Sequence, residues 1–264
     1  MQLRIGGLSE DTTEADIDKA FSSVCPLQLV KVIRDIESGK SRGFAIVKIS
    51  TEEKGEDAIK SLNGTTLRGN SISVRRMPET LRGEMESREW LTDHSAEVLV
   101  DIGVSQAQTV LDYGCGSGTF TIPCARIIGQ QGRVYAFEVR AALLEQVKER
   151  ARQAELSNII PVLSDSSSLG IELPDKNIDA ILVYDVMHAI KDQKGLLQEL
   201  HRVLKDDGIL SVFPMHMGTD RFMAVMKGHG LFCLRSRYGP PGFKAASEIM
   251  NFAKCQKPSC RDLN

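Results

Sequence analysis

The segment Val110-Leu111-Asp112-Tyr113-Gly114-Cys115-Gly116-Ser117-Gly118 runs from an apolar strand into a turn with glycines at alternate positions, and a helical pattern starts near Phe120. Glycines so placed let the backbone turn tightly and admit a ligand where any Cβ would collide. Their spacing excludes one ligand class. A dinucleotide fingerprint of the form G-x-G-x-x-G seats pyrophosphate on a helix N-terminus, but the required sixth position is Thr119 counted from Gly114 and Thr121 counted from Gly116. Three acids, Glu138, Asp165 and Asp185, then close or follow successive apolar runs. Carboxylates offer only acceptors, and acids ordered along the C-terminal edge of a sheet mark the crevice where open sheets bind ligands. Near the same edge, Asp185 and His188 are candidate proton acceptors, with Tyr184 lining the pocket and His216 as an outside choice.

The elements that must position these residues follow from the apolar pattern. Strand-like runs at 109–112, 133–138, 159–163, 178–184 and 208–213 alternate with helix-like segments, the pattern of a parallel sheet covered on both faces. The first 77 residues read as strand 2–6, helix 13–23, strand 28–34, strand 42–49, helix 51–61 and strand 70–76. That order is a small α+β, ferredoxin-like split βαβ sandwich. Ser38-Gly39-Lys40 supplies its hairpin loop, Asn63-Gly64 a helix stop, and Thr12 and Thr13 candidate caps. The polar stretch from 78 to 89 holds a proline and a glycine without a sustained apolar period and reads as a linker, so the expected division is 1–77, linker 78–89, and 90–264.

Asp112-x-Gly114-x-Gly116-x-Gly118 resembles motif I of the class I S-adenosylmethionine (SAM)-dependent methyltransferases, a Rossmann-like α/β family. Val134-Tyr135-Ala136-Phe137-Glu138 ends in an acid twenty residues after Gly118, matching the position that accepts the ribose hydroxyls in that family. Leu163-Ser164-Asp165-Ser166 resembles the adenine motif, Ile181 to His188 the motif beside the methionine part and the acceptor, and Leu200 to Leu210 the helix, turn and fifth strand of small-molecule members. Asp206-Asp207-Gly208 stands where the family usually has Pro-Gly-Gly. The resemblance implies SAM as cofactor, held by Asp112, Gly114, Cys115, Gly116, Gly118, Glu138, Val139, Asp165, Ser166 and Asp185, with Asp185, His188 and Tyr184 at the reacting end. It leaves the methyl acceptor unidentified. Asp185-Val186-Met187-His188 lacks the Pro-Pro of enzymes that methylate exocyclic base amines, and no Pro-Cys pair offers the nucleophile used on cytosine carbon. The segment looks more like the methyltransferases of quinones and metalloids, so a small molecule stands slightly ahead of RNA as acceptor.

Leu3-Arg4-Ile5-Gly6-Gly7-Leu8 and Ser41-Arg42-Gly43-Phe44-Ala45-Ile46-Val47-Lys48-Ile49 resemble the short and long signatures of the RNA recognition motif. Of the three rings that usually stack bases in that family, Phe44 remains, while Arg4 and Ile46 replace the others. The resemblance implies an RNA-binding sheet face of Arg4, Arg42, Phe44, Ile46 and Arg75. Two alternatives stay open: an RNA-binding protein whose SAM-binding half is a non-catalytic sensor or scaffold, and an N-terminal half that serves only dimerisation or substrate gating.

Composition bounds the rest. The 264 residues are 42% hydrophobic and 26% charged with a formal net charge of −2, so any pull on nucleic acid must be local. Residues 1–77 hold 12 Lys/Arg and 11 Asp/Glu. Six cysteines without CxxC spacing, and no signal sequence, predict reduced thiols in a cytoplasmic protein. Cys255 and Cys260, four residues apart with no histidine nearby, make a poor zinc pair, and no metal site is expected. No apolar run approaches a membrane span.

Overall fold

The computed structural model describes residues 1–35, 38–165, 170–239 and 248–255, which fall into two compact units, Met1–Arg82 and Gly83–Asn264. In the first, β1 (Gln2–Gly6), α1 (Glu14–Phe21), β2 (Leu27–Arg34), β3 (Ser41–Ile49), α2 (Glu52–Leu62), the short pair β4 (Thr66–Leu67) and β5 (Asn70–Ser71), and β6 (Ser73–Arg76) follow in order. The main sheet is antiparallel in the order β2-β3-β1-β6. Its core face presents Leu3, Ile5, Ala45, Val47, Ile49 and Val74, all at most 1% exposed, to Ile17 and Phe21 of α1 and Ala58 and Leu62 of α2. Thr13 caps α1 through a capping box with Asp16. The run expected as one strand over 70–76 is split, because Asn70 and Ser71 pair with Leu67 and Thr66 in a hairpin and the sheet strand begins at Ser73.

Helix α3 (Glu79–Asp93) occupies most of the stretch read as a linker, and its residues from Gly83 onward belong to the second unit. Apolar periodicity missed it because a buried position is filled by Ser87, 2% exposed, whose hydroxyl bonds back to Gly83 O at 2.6 Å. There follow α4 (Ser95–Asp101), β7 (Thr109–Tyr113), α5 (Thr121–Ile128), β8 (Arg133–Glu138), α6 (Ala141–Gln153), β9 (Ile159–Leu163), β10 (Ile178–Tyr184), α7 (Gln193–Val203), β11 (Leu204–Phe213), α8 (Thr219–His229), β12 (Phe232–Tyr238) and β13 (Ile249–Lys254). They build one seven-stranded sheet in the order β12-β13-β11-β10-β7-β8-β9. Strands β7 to β11 are parallel, and β13 enters antiparallel beside β11. Leu111, Ile181, Val183 and Val212 pack with α7 and α8, whereas Val110, Ala180 and Leu182 pack with α4 and α5. β7 lies between β8 and β10, so the chain winds outward in opposite directions from it and opens a crevice at its C-terminal end. Gly208, in the departure from Pro-Gly-Gly, is required by close packing: a Cβ there would lie 2.9 Å from Asp179 O.

The pair β12 and β13 adds two strands that the sequence pattern did not show, and it corrects the expectation of reduced thiols. Cys233 and Cys255 meet across this pair and form a disulfide, with Cα atoms 5.1 Å apart. Their 22-residue separation hid the pairing; Cys25, Cys115 and Cys124 are free and buried, and Cys260 lies outside the described residues. Among the described residues no helix is long and apolar enough to cross a membrane. Denatured without reductant, the protein should expose Cys25, Cys115 and Cys124 as reactive thiols and leave Cys233 and Cys255 unlabelled in thiol mapping. Reduction should lower unfolding stability by about 2–4 kcal/mol in a urea titration.

Candidate functional site

The turn after β7 is held by the neighbouring strand. Gly114 N and Cys115 N both donate to Phe137 O, at 2.8 and 2.9 Å, and Gly116 N donates to Glu138 Oε2 at 3.0 Å. Gly114 adopts φ +81°, and a Cβ on it would stand 2.2 Å from Val186 Cγ2, so glycine is demanded by both backbone and neighbour. Gly116 also has positive φ, +55°, but a Cβ there would meet nothing within 4 Å, so this peptide faces open space. Gly118 instead backs onto Val147, and the Cys115 side chain packs with Ala136, Leu144 and Val147. Burial pushes the Cys115 thiol up, with help from Asp112 and Glu138. Cys115 therefore contributes backbone and packing, not a nucleophile.

Glu138 is 5% exposed, yet its carboxylate is fully organised: Oε1 accepts Val139 N at 3.0 Å, Arg140 N at 3.1 Å and Arg140 Nε at 3.2 Å. Oε2 has accepted one bond and keeps a free lone pair. Arg140 is about half exposed and can swing away, which frees more of Oε1. Val139, 51% exposed, is an apolar side chain at the pocket wall. Ser164 N donates to Glu138 O at 3.0 Å and brings Asp165 to the same wall. Ser166 lies outside the described residues.

Beneath the turn, Asp112 is 3% exposed and accepts Thr121 Oγ1 at 2.6 Å. Burial pushes its carboxyl up to about 6; the Thr121 bond opposes this, and the Glu138 charge adds to it.

At the far end of the crevice the backbone leaves β10 through Asp185, whose φ is +57°, and Asp185 N is fixed on Phe213 O at 2.8 Å. Asp tolerates this left-handed region better than most residues. The guanidinium of Arg88, from α3, donates to Asp185 Oδ2 and stands 3.1 Å from His216 Nε2. The rings of His188 and His216 meet edge to face at 4.8 Å. Tyr184, expected to line the pocket at the reacting end, has its ring in the pocket wall against Phe120, while its hydroxyl is hydrogen-bonded to buried Ser211 at 2.8 Å and burial, opposed by that bond, raises its pKa. Arg88, Leu91 and Thr92 of α3 also line the cavity; the sequence reading missed Arg88 because it fell in the supposed linker.

These walls enclose a cavity of about 1070 Å³ that runs from the glycine turn and Glu138 to Asp185 and His188. That lies at the top of the ~300–1,000 Å³ range of small-molecule sites, enough for two molecules side by side.

On the first unit, the sheet face away from its helices carries Arg4, Lys31, Arg42, Lys48 and Arg75, all exposed. Among the described residues no ion pair neutralises any of them, whereas Arg34, Lys40, Arg68 and Arg76 are paired with acids. Arg4 lies 4.9 Å from the centre of the Phe44 ring. Ile46 departs from its expected role as an exposed contact: it is 2% exposed, on the central strand between its register neighbours Arg4 and Lys31.

Comparison with known proteins finds a match for each half. The family model described as "Methyltransferase domain" matches residues 105–225, and that described as "RNA recognition motif" matches residues 3–73. A 2-phytyl-1,4-naphtoquinone methyltransferase of Trichormus variabilis is 32% identical over 114 residues, 43% of this chain and 49% of that protein. A glycine-rich RNA-binding protein of Sinapis alba is 43% identical over 70 residues, 26% of this chain and 41% of that protein. The chain thus spans about half or less of the length of these relatives. A SAM-dependent methyltransferase structure from Aquifex aeolicus shares the fold, with TM-score 0.54 and 21% identity over 67% of this chain and 98% of that one.

The raised Asp112 carboxyl gives a signed pH dependence. A folded-state value of about 6, above the ordinary 3.8, means that the Asp112 contribution to ligand-free stability is fully present below pH 3.8 and is lost as pH rises from there through 6. A cation in the cavity favours the ionised form, so its affinity should fall by up to about tenfold per unit below pH 6. Calorimetry with SAM between pH 5 and 8 should show this for the wild type, and Asp112→Asn should flatten it.

Proposed function

We propose that this chain, an RNA recognition motif joined to a methyltransferase domain, transfers the methyl group of SAM to a small cyclic acceptor. In this reading the N-terminal sheet holds single-stranded RNA. The observation that carries the reading is one continuous cavity with the glycine turn and Glu138 at one end and Asp185 and His188 at the other. The residues fit SAM: a peptide at Gly116 that faces open space, a free acceptor lone pair on Glu138 Oε2 for a diol hydroxyl, and an exposed apolar Val139 beside it. When bound, SAM supplies a methyl on a sulfonium, already activated for in-line displacement. The protein's part is then alignment and exclusion of water. Phe213, Leu91, Val186, Ile190 and Met215 give the acceptor end apolar walls. Asp185 and His188 stand where a proton leaving the acceptor can be taken up. The quinone-type acceptor named for the relatives suits such walls, and it supports a small acceptor over RNA.

The RNA-binding role rests on the five unneutralised bases around Phe44. Arginine and phenylalanine can stack bases, at about 1–3 kcal/mol each, while the other cations meet phosphates.

Calorimetry should give micromolar SAM binding that Glu138→Ala weakens by at least about tenfold, the loss expected when charge-assisted bonds of about 1.5–3 kcal/mol are removed. Ribonuclease-treated protein given labelled SAM should methylate members of a hydroxylated quinone panel. Label appearing only in added RNA would shift the acceptor to RNA, and SAM binding with no transfer to either pool would favour the sensor or scaffold. In a separate titration, Arg4→Glu with Arg42→Glu should weaken binding of single-stranded RNA by about tenfold or more and flatten its salt dependence.

A further inference from the structure

Asp185 Oδ1 is buried and has no hydrogen-bond partner, an unusual state for a carboxylate oxygen. Two imidazole nitrogens face it without bonding to it: His188 Nδ1 at 3.6 Å and His216 Nε2 at 3.5 Å. Hydrogen bonds would be some 0.6 Å shorter. Ligands at about 2.0–2.1 Å around one tetrahedral ion, in contrast, stand about 3.3–3.4 Å apart. The three ligand atoms all lie within 4.8 Å of one another, so a small turn of one ring completes the triangle. We infer that Asp185, His188 and His216 form a binding site for a divalent transition-metal ion of the Zn²⁺ or Co²⁺ class, at the acceptor end of the cavity.

The chemistry of the donor set selects the ion. Two imidazoles and one carboxylate suit borderline metals and not Mg²⁺ or Ca²⁺, which prefer all-oxygen shells. Three protein ligands leave at least one coordination position open, the pattern of catalytic and not structural sites. Asp185 and His188 both line the cavity, so that position is within reach of an oxygen on the acceptor. Behind the site, Glu84 Oε1 lies 3.6 Å from His216 Nδ1, a carboxylate placed to orient the ring with Nε2 toward Asp185. Arg88 now supplies the positive charge: its guanidinium sits on Asp185 Oδ2 and 3.1 Å from His216 Nε2, where it competes with a metal for the same lone pair. Its side chain is 55% exposed and can withdraw. The metal site stands on its own geometry; only the placing of an acceptor oxygen on it rests on the methyltransferase reading.

The test is calorimetric titration of ZnCl₂ and CoCl₂ into tag-free, chelator-treated full-length protein in a non-chelating buffer, with the Co²⁺ visible spectrum recorded in parallel. Thermal melts of each variant confirm folding, and SAM binding is titrated separately, so failure of the metal site and failure of the SAM reading are distinct results. One ion per chain is expected. His188→Ala and His216→Ala should each weaken it by about tenfold or more and change the Co²⁺ spectrum, the loss expected for one ligand of three. Arg88→Ala should tighten it, because the competing cation is gone. Absence of saturable binding in the wild type, or binding that the folded double variant H188A/H216A retains within twofold, overturns the site; weaker binding in Arg88→Ala overturns the guanidinium as its rival.

Discussion

The candidate site depends on the cross-strand anchoring of one turn. Gly114 and Cys115 both give their N–H groups to Phe137 O, and Gly116 gives its own to the Glu138 side chain. Glycine loses more conformational entropy on folding than any other residue, and this turn holds three, all at positive φ. It is held only because the end of β8 supplies acceptors in the right places. The same carboxylate that pins the turn offers its remaining lone pair to the cavity. Positioning of the turn and, in the proposed function, recognition of the ligand are therefore properties of one side chain. The turn in turn locks the exit of β10, since Val186 fills the space that a Cβ on residue 114 would need. The ends of β8, β7 and β10 thus form one rim, and a substitution at any of them displaces the others.

Charge is distributed with equal economy in the first unit. Its near balance of acids and bases suggests no electrostatic role, but the balance is local: Glu14, Glu10, Asp11, Asp16, Glu52 and Glu56 meet Arg34, Lys40, Arg68 and Arg76. Those pairs are exposed, and each contributes little to stability. Their larger consequence is to withdraw the acids from the sheet face, which leaves Arg4, Lys31, Arg42, Lys48 and Arg75 as a cluster of one sign. A polyanion meets that cluster and not the net charge.

What the sequence made legible follows from how local each feature is. The parallel strands, the glycine turn and Glu138 are encoded in contiguous runs, and the structure places them at one edge of one sheet. The antiparallel pair β12 and β13 escaped because β12 is exposed along most of its length and carries no apolar alternation. The disulfide depends on the register of that pair, which no spacing of cysteines reveals. Helix α3 escaped because its buried face uses Ser87 where a periodic pattern wants an apolar residue. Ile46 was placed on the binding face by the resemblance to the RNA recognition motif, yet a central strand can bury an outer-face residue between long neighbours.

Asp185 brings these strands of argument together. A non-glycine residue at φ +57° is strained, and such strain persists only where the surroundings over-determine it. Here the determinants are the bond from Asp185 N to Phe213 O and the wedging of Val186 against Gly114. Their product is a carboxylate with one oxygen on a guanidinium and the other buried, unbonded and faced by two imidazoles. An arrangement selected for stability alone would have used the left-handed position for glycine and the buried oxygen for a hydrogen bond. Neither was done, although the adjoining turn uses glycine freely. The departure from stable design falls at the end of the cavity that the proposed methyl transfer gives to the acceptor, and in that reading a carboxylate positioned there is worth its strain.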